Sequence, residues 1–442
     1  MLSGAGWCLF AEALGGVPEM SKKGGRNVWP WISWVIPSII ESHGRILACG
    51  ETPELMELYG ARSMKDVQEK ARRFLEAHEG GEYTREKEVR GLAWDQAFFR
   101  GCNADSNLAE DPELSELYII LDRLDVHCEL ASQKVLDLLA RSLLKVSLGG
   151  IVISNPSTGF MTALAELNKV DIAGVGDADM RLDNVAILDR LAKKSELILR
   201  LNAMLERDER NTFCLDETDR LKLFRRREAS LGGNMLISEK VNIHAIGDRV
   251  NRAAVDAFES VSGVDCTGCN EARRLRIEHA VIPTHATSDK AYALDRLGPE
   301  RLADPPYRMA SFFSGSESPP ASTSQSKLAG PVLGSNVPVE LPSPSEGICA
   351  AVARLNPYTG TSLSGPGGWH PEQARESEPA LLGFARNAAY GWERERETGA
   401  IEMRYWAGWV VLDRDFWLDA TGKGLRDVRV RDLGRGEEGV SC

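Results

Sequence analysis

Val241-Asn-Ile-His-Ala-Ile-Gly-Asp248, running on through Arg249 to Glu259, is the stretch that decides the fold. Val241 to Ile243 is a short apolar run and reads as a buried strand. Gly247 allows a tight turn, and Asn251-Arg-Ala-Ala-Val-Asp-Ala-Phe258 has helical spacing with Ala254, Val255 and Phe258 on one face. A strand that ends on histidine and turns directly into a helix is how an α/β barrel presents a ligand at its C-terminal rim. A second unit of this kind follows in Leu275-Arg-Ile-Glu-His279, where apolar and charged residues alternate up to the histidine. The pair suits two consecutive βα units that share one metal site. The alternative is two unrelated histidines, one capping a helix and one in a polar network. Either motif alone favours that alternative; the two together favour the shared site.

The chain has 442 residues, 43% hydrophobic and 27% charged, enough for one large domain and a smaller one. Its net charge of -12 and its lack of a basic stripe with interleaved aromatics argue against a nucleic-acid binder. The nine cysteines are scattered, and Cys266-Thr-Gly-Cys269 has no second pair to complete a zinc knuckle. No apolar run reaches membrane-span length, and Met1 to Leu14 lacks a basic n-region. The expectation is a reducing, cytoplasmic setting with no membrane or nucleic-acid partner.

Along the chain, residues 1–30 are weakly patterned and expected to be poorly ordered. Trp31 to Ile40 reads as a strand interrupted by Pro37. Glu54 to Tyr59 and Met64 to Ala77 read as helical. Val89 to Trp94 and Leu117 to Leu121 read as strands, and Lys134 to Leu144 as a helix. Ser157-Thr-Gly159 reads as a turn, Val185 to Lys194 as a helix and Leu197 to Leu201 as a strand. Leu221 to Phe224 is a short strand carrying Lys222. Phe313 to Lys327 is rich in Ser and Pro, without periodicity, and reads as a disordered insert within 313–328. Glu378 to Glu397 reads as helical and Ala407 to Asp415 as a strand. Alternating strands and helices favour a mostly parallel α/β architecture. Ala280 to Thr284 is too short for a parallel crossover, which needs about a dozen residues or more.

Taken in order, the motifs resemble the amidohydrolase superfamily, in its amidohydrolase-3 branch of N-substituted formamide deformylase-like enzymes. They include Ser42-His43-Gly44, Gly60-Ala-Arg-Ser63, Trp94-Asp-Gln96, Leu221-Lys-Leu-Phe224, His244-Ala-Ile-Gly-Asp248 and Arg276-Ile-Glu-His279. Thr284-His-Ala-Thr-Ser-Asp289, Asp295-Arg-Leu-Gly-Pro-Glu-Arg301, Gly334-Ser335 with Pro338-Val-Glu340, and Val410-Val-Leu-Asp-Arg-Asp415 continue the series. The resemblance implies a metal-dependent (β/α)8 barrel over 31–395, here incomplete, and a remnant small β-sandwich with a tail over 396–442. It implies hydrolysis of carbon–nitrogen bonds in a small amide-type substrate by a metal-activated water, with zinc as the expected ion. By motif, His43, Lys222, His244 and His279 fall at metal-ligand positions and Asn336 at the catalytic position on the last strand. Trp94, His127, His285 and Asp289 are candidates for the substrate pocket.

Two positions depart from the family pattern. Arg45 stands where a second first-strand histidine belongs, and a guanidinium has no lone pair to offer a cation. Asn336 stands where an aspartate belongs, and an amide cannot act as a base. Glu41 or Glu278 swinging in is one compensation. A catalytically inactive relative that retains only ligand or partner binding is the alternative reading.

Overall fold

The computed structural model describes residues 21–23, 26–28, 34–61, 63–78, 88–94, 108, 111–123, 129–142, 156–205, 235–237, 242–246, 248–262, 274–279, 310, 330–340, 342–355, 360–362, 365, 367–402, 405–406, 408–413, 424, 428 and 430–435. The chain divides into two compact units. One joins Met1–Ile46 to Leu164–Cys442, and the other is Leu47–Ala163. The expected strand over Leu221 to Phe224 and the Ser/Pro-rich insert lie outside the described residues.

In the first unit, a short hairpin pairs β1 (Ser21–Lys23) with β2 (Arg26–Val28). The expected strand around Pro37 is two strands, β3 (Trp34–Pro37) and β4 (Ile39–Gly44), which enter different sheets. In the second unit are β5 (Met56–Glu57), β6 (Glu88–Trp94), β7 (Tyr118–Arg123) and β8 (Glu129–Ala131). The first unit continues with β9 (Ile172–Met180), β10 (Arg200–Leu205), β11 (Met235–Ile237), β12 (Asn242–His244), β13 (Arg276–Glu278), β14 (Gly408–Leu412) and β15 (Val430–Arg435).

The site is built on a four-stranded sheet in the order β11-β10-β9-β4, every pair parallel. β4 is buried along its whole length and β9 along its first six residues, as expected of strands covered on both faces. β12 and β13 form a separate parallel pair, with Asn242 opposite Arg276 and His244 opposite Glu278. Closure into an eight-stranded barrel is not seen among the described residues. β3, β14 and β15 form an antiparallel sheet in which β14 is central, paired with β3 on one side and β15 on the other.

The helices are α1 (Ile46–Glu51), α2 (Met64–Ala77), α3 (Gln133–Ser142), α4 (Pro156–Lys169), α5 (Leu182–Lys193), α6 (Asp248–Ser262), α7 (Pro344–Ala353), α8 (Ser377–Gly383) and α9 (Arg386–Gly391). The helix expected over Glu378 to Glu397 is broken between α8 and α9, where Ala385 leaves helical geometry at φ -127°, ψ -93°. α9 packs on β4, and Ile40, Ala388, Ala389 and Trp392 form a small buried cluster. Gly174 permits this approach, because a Cβ there would sit 2.7 Å from the Trp392 ring. A larger core brings Ile36, Ile39, Val410 and Leu412 from the strands against Ile348, Val352, Leu381 and Phe384 from α7 to the end of α8.

In the second unit, β5, β6 and β7 are parallel and β8 runs antiparallel to β7. The helix expected over Glu54 to Tyr59 is instead the strand β5. Met56 and Leu58 are fully buried while Glu57 points out, the alternation of a strand and not a helical stripe. The turn expected at Ser157-Thr-Gly159 lies within the first turn of α4. Pro156 at its start has a φ already suited to a helix. α2 begins where Ser63 Oγ accepts from the Asp66 amide at 3.2 Å, and buries Met64, Val67 and Ala71 along one face.

Ile348 is 1% exposed at the centre of the larger core. Replacing it by alanine should lower unfolding stability by about 2–5 kcal/mol, because the surrounding strands and helices close the void only partly. Urea unfolding followed by circular dichroism measures this as a lower midpoint with little change in slope.

Candidate metal centre

Three imidazoles from three separate strand ends meet. His43 lies on β4, His244 ends β12, and His279 follows β13 directly. Ring centroids are 5.0 Å apart for His43–His244, 4.5 Å for His43–His279 and 4.9 Å for His244–His279. One ligating atom of each lies within 4.8 Å of the others, so all three are within reach of one ion's coordination shell. His43 is buried, His279 half-buried, and His244 is open to solvent on one side.

Local backbone geometry aims these rings. The β4–β9 register slips between Glu41 opposite Val175 and Gly44 opposite Asp177, leaving an extra residue at Ser42-His43. A bulge of this kind re-aims the side chain it carries. His279 has φ +59°, in the left-handed region, which turns it out of the β13 direction. Asn336 has φ +58° and is also buried.

The electrostatics keep the imidazoles able to donate. Burial, then the neighbouring His43, lowers His244 to about 4. Burial, then His43 and His244, lowers His279 to about 3. Both are therefore neutral near pH 7 and hold lone pairs for a metal. Glu278 Oε2 lies 2.7 Å from His43 Nδ1. Burial works against the Glu278 charge, but Arg276 and the His43 hydrogen bond hold its pKa at about 2. His43 Nε2 is buried and has no hydrogen-bond partner among the described residues. Three imidazoles within reach of one another, one of them presenting a buried ring nitrogen with no hydrogen-bond partner among the described residues, fit a zinc-like divalent ion.

The other candidates fall elsewhere. Lys222, His127, His285 and Asp289 lie outside the described residues. Trp94, expected at the substrate pocket, is 5% exposed in the core of the second unit, and its indole N–H donates to the Leu121 carbonyl at 2.8 Å. Asn336 is buried, with Oδ1 unpaired among the described residues. Neither proposed substitute carboxylate swings into the centre. Glu41 accepts from the His43 amide at 3.0 Å and from the Ser335 amide at 3.0 and 2.8 Å. Glu278 is engaged by His43 and Arg276. These supporting roles were not read from the sequence. The signal was the i, i+2 spacing of Glu41 with His43 and of Arg276 with Glu278, which places each pair on one strand face.

Arg45 follows Gly44, with its amide donating to the Val337 carbonyl at 2.8 Å and its Nε buried without a hydrogen-bond partner among the described residues. Its charge is felt at His244, His279 and Asp177. Asp177 accepts from the Asp179 amide at 2.9 Å and the Ile46 amide at 3.2 Å, yet burial pushes its pKa up to about 7 from an ordinary 3.8. The folded chain therefore holds this proton more tightly than the unfolded chain. Stability contributed here falls as pH rises from about 4 to about 7 and is level above that. Asp177→Asn removes the dependence, so the stability difference, wild type minus variant, should drop by a few kcal/mol across that window. Urea midpoints at pH 4.5 and 7.5 for both chains measure it.

No family model matches the chain. It is 27% identical over 197 residues to Protein LONG AFTER FAR-RED 3 of Arabidopsis thaliana; the match takes in 40% of this chain and 30% of that protein. Its structure is similar to that of an uncharacterized metal-dependent hydrolase from Pyrococcus horikoshii OT3, with TM-score 0.54 and 17% identity over 88% of each chain. It is also similar to an uncharacterized metal-dependent hydrolase from Pyrococcus furiosus, with TM-score 0.53 and 18% identity, covering 94% of this chain and 92% of that one. At these identities the likeness is one of fold: the chain has a mixed α/β fold with parallel sheets, similar to that of these two structures.

Proposed function

We propose that this chain binds one divalent metal ion, zinc by donor chemistry, between His43, His244 and His279, and that the centre is of the type that hydrolyses carbon–nitrogen bonds in small non-peptide amides. The observation that carries this reading is the meeting of three imidazoles from three strands, with one ligating atom of each within 4.8 Å of the others. A divalent ion held there supplies a Lewis acid and a water of lowered pKa. The chain's own contribution is to bring three imidazoles together and to hold His43 against Glu278.

A second reading rests on Asn336 and Arg45. The Asn336 amide has no basic site to take a proton from water or hand one to a leaving nitrogen. The Arg45 guanidinium disfavours a cation nearby. On that reading the chain is an impaired relative that binds metal or ligand and turns over slowly.

Elemental analysis of the purified full chain should find close to one zinc per chain, and His244→Ala should abolish it. A chain that takes up no zinc under these conditions overturns the metal reading. Turnover of a small-amide panel should be slow and chelator-sensitive. Asn336→Asp, by restoring a proton carrier, should raise kcat by about 10²–10⁴-fold with zinc content unchanged. An unchanged rate would show that the side chain at 336 is not what limits the chemistry. If Arg45 is what weakens metal binding, Arg45→His combined with Asn336→Asp should tighten zinc binding in calorimetry beyond the level of Asn336→Asp alone.

A further inference from the structure

Arg276 and Glu278 sit two residues apart on β13 and so share one face of the strand. Both reach across to β4. Arg276 Nη2 donates to the Ser42 carbonyl at 3.0 Å and to Glu278 Oε2 at 3.1 Å, and Arg276 Nε is ion-paired with Glu278 Oε1. Glu278 Oε2 meets His43 Nδ1 at 2.7 Å. Glu278 Oε2 thus carries the hydrogen bonds, while Oε1 is ion-paired with Arg276 without a hydrogen bond among the described residues. A carboxylate can only accept, so His43 Nδ1 must carry the hydrogen. In the neutral ring the lone pair is then on Nε2, a buried atom with no hydrogen-bond partner among the described residues.

We propose that Glu278, held in place by Arg276, is a positioning residue that fixes the tautomer and ring orientation of His43 and thereby sets the affinity of the three-histidine centre for a divalent ion. This rests on the metal reading above and deepens it. Glu278 touches no reacting atom and acts through His43. A ligating imidazole whose other nitrogen donates to a carboxylate is held in one orientation and is a better donor. Removing such a partner weakens metal binding by about 10–100-fold.

A purely structural role predicts something different. An ion pair that only ties β13 to β4 would leave the His43 tautomer and the zinc affinity of a folded variant unchanged. Two measurements separate the roles. The first uses the metal-free, ¹⁵N-labelled full chain and long-range ¹H–¹⁵N correlation of the imidazoles, with His43 assigned by its loss in His43→Gln. Wild type should show His43 protonated on Nδ1 and bare on Nε2, and Glu278→Leu should lose that preference. The second is calorimetric titration with zinc chloride. Glu278→Gln should bind about tenfold more weakly or worse, and Glu278→Asp should recover part of the loss.

Glu278→Gln keeps shape and polarity, so it reports even if the leucine variant fails to fold. Thermal melts of the metal-free chains identify any variant that has not folded. Wild-type His43 carrying its hydrogen on Nε2, or folded Glu278→Gln binding zinc within twofold of wild type, overturns the proposal. The tautomer measurement needs no metal, so failure of the positioning role is read apart from failure of wild type to bind zinc.

Discussion

The buried carboxylate of Glu41 ties the centre together. It sits on β4 two residues before His43 and accepts from the backbone amides of His43 and Ser335. The segment carrying Gly334, Ser335 and Asn336 forms no strand ladder with β4. It is held there by this carboxylate and by Ser42 Oγ donating to the Leu333 carbonyl. Gly334 is required for the approach, since a Cβ there would lie 2.4 Å from Glu41 Oε1. The clamp is strained electrostatically as well. Several charge-assisted hydrogen bonds are worth about 1.5–3 kcal/mol each, yet burial outweighs them and holds the Glu41 pKa at about 7, above its ordinary 4.5. Ordering the first strand against the Asn336 segment therefore sets a carboxyl at the edge of ionisation beside a candidate ligand.

The charges around the three histidines pull in two directions. Glu278 is ionised and in contact with His43, which favours a cation in the cluster. Arg45 is permanently charged and depresses His244 and His279, which disfavours one. Contact decides between them. Glu278 touches the ring of a candidate ligand at 2.7 Å, and Arg276 is bound to Glu278 and to the Ser42 carbonyl rather than facing the imidazoles alone. Arg45 acts only through space. At the cluster these two charges oppose each other, with Glu278 in direct contact with His43 and Arg45 acting at a distance.

Parts of this were legible in the sequence for identifiable reasons. Amphipathic spacing marked α2 and α5, and apolar runs marked β6 and β7, because a solvated helix face or a buried strand imposes its period on the residues. His244 and His279 were legible as strand-ending histidines, and the structure brings both to His43. β5 was misread because a two-residue strand leaves too short a record for period 2 to stand out from period 3.6. The α8–α9 break was hidden because alanines and glutamates read as helix on both sides of it. Glu41 and Glu278 were seen only as possible substitute ligands. What fixes their actual roles is a partner 294 positions away for Glu41 and 235 positions away for Glu278. No local pattern encodes contacts of that separation.

The backbone argues in the same direction as the side chains. His279 and Asn336 are not glycines, yet both hold φ near +60°. Such geometry costs on the order of 1–3 kcal/mol at each residue and persists only where the surroundings over-determine it. Those surroundings are visible. The Ala245 amide donates to the Glu278 carbonyl at 3.0 Å immediately before His279, the Ser335 amide just before Asn336 is held by Glu41, and the Val339 amide donates to the Asn336 carbonyl at 2.9 Å. A chain with no use for the centre could relax either turn at little cost to its core, since neither residue contributes to the main apolar clusters. Holding two strained turns at the rim of three converging imidazoles is the cost of a pre-organised site, and it favours a centre that still binds something over a relic of packing.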